Sequence, residues 1–360
     1  MNKYNNKKSI TDRILGLILT SPLLWRAVII VAVFHFMAIF LYSLPVRLMR
    51  DDQERDVIGY YQTLERIHNG EDIYAISKVA GPSRLDCLIY NYPPVISSVL
   101  AILPTMSFMV FARMWTLLIY LAFWIYAICL ARLAIGRITF TGVLVSALAL
   151  SLFPGTHGAL SLGQIDPLLW ALFGIALAAP PLQGAGLLAI TLVKPWALLP
   201  LLWSFKEGRR VQVGTSILFV CAIAIGLYTR GIDIYLSEWT VWFKDILPFL
   251  GQGSWAAGNM SISFGALRVL AEFGFLEHGR SVPAWARLWL VFCGAIVPVC
   301  VGFMLRKKNS SLQLSAVGCT AIVLSPICWE SYLPGLLTYL SLSLKYKSNI
   351  KAITAEANIV

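Results

Sequence analysis

Apolar runs broken by short polar stretches dominate the chain, and their lengths set the first expectations. Ala27–Val46, Met114–Leu133, Val211–Tyr228 and Ala284–Leu305 each approach the roughly 20 apolar residues that a spanning helix needs. Ile138–Pro154, Pro167–Ala179, Leu312–Ile327 and Tyr332–Leu344 read as further crossings, whereas Ile14–Trp25 is cut by Ser21-Pro22 and reads as an interfacial lead-in. Val95–Leu103, stopped by Pro104, is too short to span and reads as a dipping or interfacial helix. Gly184–Arg210 carries Lys194-Pro195 near its middle, so two half-helices meeting there are expected to return the chain to the side it came from. Between Pro154 and Pro167, the string GTHGALSLGQID reads as a small turn. The pattern predicts an all-α polytopic membrane protein with roughly ten transmembrane helices in a single domain over residues 1–346. Two long loops, residues 47–94 and 229–283, fall on the same non-cytoplasmic side, and residues 347–360 form a cytoplasmic tail.

Composition supports this class. Apolar residues make up 58% of the 360 and charged residues 13%, against about 45–50% and about 25% in soluble domains. The net charge of +11 does not imply nucleic acid, because basic residues sit at the ends of apolar runs rather than between aromatics. By the positive-inside bias, the polar and basic residues 1–13 and the tail KYKSNIK place both termini in the cytoplasm. The first apolar run is too long for a signal peptide and no small-x-small cleavage site follows it. Seven cysteines show no CxxC pair and read as small apolar residues.

The first loop changes the picture. It concentrates Asp51, Asp52, Glu54, Asp56, Glu65, Glu71, Asp72 and Asp86, eight of the chain's 18 carboxylates. A run such as RDDQERD suits a solvated loop, but Asp56 opens a segment whose Val57, Tyr60, Tyr61, Leu64 and Ile67 recur at helical spacing. An acid in a first helical turn is commonly only a cap, and it can also serve as a base. Lys194 lies inside an apolar stretch, where a cation is costly; it either snorkels to the interface or works in a site. Arg268 lies either on the polar face of a surface helix or in that site. His35, His68 and His157 lack metal-ligand spacing, and no metal or other cofactor is expected. A carboxylate to take a hydroxyl proton and cations to receive a departing phosphate, both near a membrane surface, suit sugar transfer from a lipid-phosphate donor. Such a leaving group departs as a stable anion and needs no general acid, unlike the leaving group in glycoside hydrolysis.

Five strings carry a resemblance. Asp56 with Tyr60-Tyr61, Gly70, Tyr74 and Tyr92-Pro93-Pro94 resembles the first loop of glycosyltransferase family 87. Leu162-Gly163-Gln164-Ile165-Asp166 resembles its L-x-GQ-x-N string, and Gly186 with Lys194-Pro195 its small-residue helix ending in KP. Gly258-Asn259-Met260-Ser261 with Arg268 resembles its NQS string and following Arg, and Ser325-Pro326-Ile327-Cys328-Trp329 its late SP-x-SW string. The resemblance implies a GT-C-type fold and inverting transfer of a hexose, mannose foremost, from a polyprenyl-phosphate donor to a glycolipid or glycan acceptor. It places the active site on the non-cytoplasmic face of a plasma membrane. It assigns the base to Asp56, with Asp51 and Asp52 as alternatives, and the donor phosphate to Lys194 and Arg268. Tyr60, Tyr61, Tyr92, Gln164, Asp166, Asn259, Trp329 and Glu330 then fall in the sugar or acceptor pocket or position its loops. Two positions depart from the pattern: Asp166 stands where Asn is usual, and Glu330-Ser331-Tyr332 where a His commonly follows the late Trp. Two other classes fit the same segments: a secondary transporter or flippase, for which a broken helix at Lys194 is suited, and a non-catalytic subunit that keeps the fold.

Overall fold

The computed structural model describes residues 21–49, 55–74, 92–250, 259–277, 282–328 and 330–346. Its regular elements there are all helical. Helix α1, Pro22–Met49, starts at Ser21, whose Oγ accepts from the Leu24 N–H at 3.4 Å, and passes through a π turn at Ala38–Ser43. Its outer face exposes Leu23, Ile29, Ile30, Phe34 and Leu41, which suits lipid rather than water. The inner face packs Ile39 and Phe40 against Phe123 and Tyr120 of α4, Phe108–Ile135, the central helix of the bundle. Between them in sequence lie α2, Arg55–His68, and the short α3, Pro94–Leu100.

After α4 come α5, Phe140–Ser151, and α6, Pro154–Leu162, bent 85° against each other at Phe153-Pro154. Helix α7, Asp166–Ala178, returns along α4, with Gly174 lying against Tyr126 and Cys129. Then follow α8, Gln183–Thr191, α9, Leu198–Ser204, and the long α10, Arg209–Arg230. Beyond these lie α11, Ile232–Val241, α12, Ile262–Glu272, α13, Ala284–Met304, and α14, Ser310–Leu324. A 3-10 segment, Glu330–Leu336, leads into α15, residues 337–346.

Two expectations are corrected. Among the described residues four helices, α1, α4, α10 and α13, are long and apolar enough to cross a membrane, or five if α5 and α6 form one broken span. The roughly ten crossings expected from apolar runs reduce to this number because Pro and Gly break the remaining runs. Helices α7 and α14 are apolar but only 13 and 15 residues long, which covers about 20 Å against a core of about 30 Å. The stretch read as the turn GTHGALSLGQID is mostly the helix α6, started by Pro154 at its first position and ended by Gly163 in the left-handed conformation.

The break at Lys194 does reverse the chain. Gly184 at the start of α8 lies against the Val211 carbonyl and Thr215 of α10, so the path out through α8 and back through α9 closes on itself. Lys194 is the tip of this hairpin. The end of the bundle at the base of the hairpin gathers basic residues: Lys206 donates to Gln313, whose amide donates to the Arg306 and Lys308 carbonyls, and Lys308 donates to Tyr346. Lys345 adjoins Gly136 there. The N-terminus of α7, the hairpin tip, the C-terminus of α14 and helix α2 lie at the opposite end.

Candidate active site

Helix α2 turns Val57, Tyr60, Leu64 and Ile67 inward, each at most 9% exposed, so the first turn that bears Asp56 is held against the bundle. Asp56 itself is half-buried, and the partial positive charge of the helix start favours its ionised form. The landing point is Gly163, at φ +66°: a Cβ there would lie 2.0 Å from Val57 Cγ2. Only glycine allows both this close approach and this backbone conformation without strain. The Gly163 carbonyl accepts from Trp115 Nε1 at 2.7 Å, and the Trp115 ring lies 4.7 Å from that of Tyr60. The loop following α6 therefore carries Gln164 and Asp166 to the foot of α2.

From Tyr60 the site passes to the hairpin. The Tyr60 and Tyr92 hydroxyls are hydrogen-bonded at 3.0 Å, and Lys194 Nζ lies 5.2 Å from the Tyr92 ring centroid and 4.6 Å from that of Tyr332. Lys194 Nζ donates to the Tyr332 hydroxyl at 2.6 Å and makes no ion pair among the described residues. An ammonium has three N–H donors; the Tyr332 hydroxyl and the neighbouring Tyr92 hydroxyl draw on two of them, which leaves one for an incoming acceptor. Burial first, then the charges at Tyr92 and Asp56, hold the Tyr60 proton well above the ordinary phenol range. Burial also raises Tyr92, with Lys194 opposing and Asp166 and Asp56 reinforcing the shift. The electrostatics thus join Asp56, Asp166, Lys194 and both phenols in one neighbourhood, where the phenols stay neutral donors.

Asp166, 4% exposed, accepts from Ser331 Oγ at 2.8 Å through Oδ2, and the Ser331 carbonyl accepts from Trp170 Nε1 at 2.9 Å. Asp166, Trp170, Trp196 and Tyr332 are among the residues lining a cavity of about 10 Å³, room for about one water. The Gln164 Oε1 beside it is buried without a hydrogen-bond partner.

Other candidates are occupied elsewhere. Asn259 donates to the Pro326 carbonyl at 3.0 Å and accepts from the Ser261 and Cys328 N–H groups at 3.2 and 2.9 Å, clipping the start of α12 to the end of α14. Arg268 donates to the Asn259 carbonyl at 3.1 Å and lies over Phe264. The Tyr61 hydroxyl donates to the Met106 carbonyl at 3.1 Å, and its ring packs on Phe108 and Phe111. Asp51, Asp52, Trp329 and the side chain of Glu330 lie outside the described residues. Among the described residues no group of three or more His, Cys, Asp or Glu side chains is arranged to hold a metal ion. Ser331 and Tyr332 were not candidates; in the sequence they stand out only as a departure from the late His.

The arrangement offers one exposed-edge carboxylate, a second buried carboxylate and an unpaired cation across a pair of neutral phenols. Comparison with curated proteins and with solved structures returns no match. The model of glycosyltransferase family 87 matches residues 90–326, which include Tyr92, Gln164, Asp166, Lys194, Asn259 and Arg268 but not Asp56 or Tyr332. That match spans well over half of the 360 residues, and the chain belongs to glycosyltransferase family 87.

Proposed function

We propose that this membrane glycosyltransferase adopts a GT-C-type fold and moves a hexose, mannose foremost, from a polyprenyl-phosphate donor to a hydroxyl of a lipid- or glycan-linked acceptor. The observation that carries the reading is Lys194: a cation at the tip of a hairpin, held by neutral phenols and ion-paired to no carboxylate among the described residues. Such a group is preset for an anion, and a phosphate at a membrane surface matches it. In the reaction, Asp56 takes the proton of the acceptor hydroxyl, and that oxygen attacks the anomeric carbon from the face opposite the phosphate. The bond from the anomeric carbon to the phosphate oxygen breaks with inversion, and the electron pair leaves on the phosphate beside Lys194. Asp166 and Gln164, each with a carbonyl-type oxygen not bonded to protein, suit hydroxyl groups of the sugar. The distribution of basic residues supports a cytoplasmic position for the Lys206 and Arg306–Lys308 end, which puts the site on the other face.

The test is transfer from radiolabelled polyprenyl-phosphate mannose to extracted membrane lipids by the purified chain in proteoliposomes. Wild type forms a labelled glycolipid, and Asp56→Asn loses transfer by about 100-fold or more. An Asp56→Asn variant with full transfer overturns the assignment of the base. Labelled substrate accumulating unmodified inside the vesicles would overturn transfer itself in favour of transport.

A further inference from the structure

A charged pair buried near one cavity normally closes on itself, because Coulomb attraction strengthens as the dielectric falls. Asp166 and Lys194 do not. Two consecutive residues of the 3-10 segment Glu330–Leu336 engage them separately. Ser331 Oγ takes Asp166 Oδ2 at 2.8 Å, and the Tyr332 hydroxyl takes Lys194 Nζ at 2.6 Å. Both residues are buried, at 1% and 7% exposure. The segment that carries them is itself fixed, through the Ser331 carbonyl to Trp170 and through the Pro334 carbonyl to the Tyr126 hydroxyl at 2.8 Å. Since the two side chains leave adjacent positions of one tight turn, the backbone sets the gap between acid and cation.

We propose that Ser331 and Tyr332 are positioning residues that act as a spacer, holding Asp166 and Lys194 apart so that the ammonium stays open to an anion. This rests on the reading of Lys194 as the phosphate ligand. Without the Tyr332 hydroxyl, the ammonium turns to the nearest negative charge, Asp166, and an incoming phosphate must break that pair. The ring of Tyr332 then still packs, but its oxygen no longer competes with the carboxylate.

The probe is farnesyl phosphate, and the measurement is its Kd on the full chain in detergent by thermophoresis, with melting temperature recorded for each variant. Tyr332→Phe keeps the ring and weakens binding by about tenfold, because the phosphate must first break the Lys194–Asp166 pair that then forms. In an Asp166→Asn background the same Tyr332→Phe change has a much smaller effect, because the stronger of the two carboxylates acting on Lys194 is gone and only Asp56 remains. Ser331→Ala, which frees Asp166 rather than Lys194, weakens binding in the same direction and serves as the main variant should Tyr332→Phe fail to fold. Wild-type affinity in a folded Tyr332→Phe or Ser331→Ala protein overturns the spacer, as does a Tyr332→Phe effect undiminished by Asp166→Asn. Lys194→Met separates the two claims. Unchanged affinity there removes Lys194 as the phosphate ligand, whereas weakened affinity with no effect of Tyr332→Phe removes the spacer alone.

Discussion

Substituting Gly163 by alanine tests the packing that brings α2 to the site. A Cβ at this position would lie 2.0 Å from Val57 Cγ2, whereas carbon atoms rest at about 3.5–4.0 Å, so Val57 or its helix must retreat by about 1.5–2 Å. Val57 is fully buried and β-branched, with one strongly preferred helical rotamer, so the helix rather than the side chain moves. Overpacking of this kind costs about 1–3 kcal/mol, and the positive φ adds about 1 kcal/mol for a residue with a Cβ. Asp56 is the preceding residue, and on its proposed role as base a misplacement of about 1 Å lowers the rate by about 100-fold. Gly163→Ala should therefore lose about 100-fold in kcat for transfer from labelled polyprenyl-phosphate mannose, with a lower melting temperature in detergent. Adding Val57→Ala removes the obstructing methyls and should restore most of the activity, while the cost of the positive φ and of the cavity remains. Wild-type kcat in Gly163→Ala, or a double variant no more active than the single, refutes the argument that this contact sets the position of Asp56.

Three further outcomes follow from other contacts. Glu238, 6% exposed, accepts from Arg230 Nε and Nη2 at 3.1 and 2.5 Å and from Ser97 at 3.4 Å; Glu238→Gln strands a buried guanidinium and should cost about 3–5 kcal/mol in denaturant or thermal unfolding, far more than a paired Arg230→Met/Glu238→Leu replacement. Asn259→Ala leaves the Pro326 carbonyl and the Ser261 and Cys328 N–H groups without their partner; the expected loss of about 3 kcal/mol should appear as accelerated proteolysis at the start of α12. Tyr60 and Tyr92 hold their protons above the ordinary value of 10.0. Above that pH the unfolded chain releases protons that the folded chain retains, so the melting temperature should fall as pH rises above about 10, and less steeply in Tyr60→Phe.

The long helices were legible because length and apolarity alone define them: the expected Ala27–Val46, Met114–Leu133, Val211–Tyr228 and Ala284–Leu305 all lie within, or within a residue of, helices of 21 to 28 residues. The hairpin at Lys194 was legible too, since a lysine next to a proline in an apolar run leaves few other arrangements. The shorter apolar runs misled, because hydropathy counts residues and not the angle at which Phe153-Pro154 turns one helix against the next. Of the candidate site residues, Lys194 was conspicuous as a cation in an apolar run and Asp56 as the acid that opens a helical pattern, whereas Asp166 was singled out only through the family resemblance. How they are held near one another could not be read from the sequence, because it depends on Gly163 receiving Val57 and on the hydrogen bond between Tyr60 and Tyr92, two residues that only the family resemblance had singled out for the site. Ser331 and Tyr332 were missed for the same reason: a serine and a tyrosine carry no local signal until their partners, 165 and 138 positions away in the chain, are known.

The hairpin also works as a ruler. A segment that crosses the whole bilayer can gain or lose a residue and settle by tilting, but α8 and α9 start and finish at one end of the bundle, so the number of residues in each arm fixes how far Lys194 reaches. One added residue would carry the ammonium about 1.5 Å further and swing it by about 100°, away from both tyrosine rings. Insertions and deletions between Gln183 and Ser204 should therefore be far less tolerated than equal changes in α10.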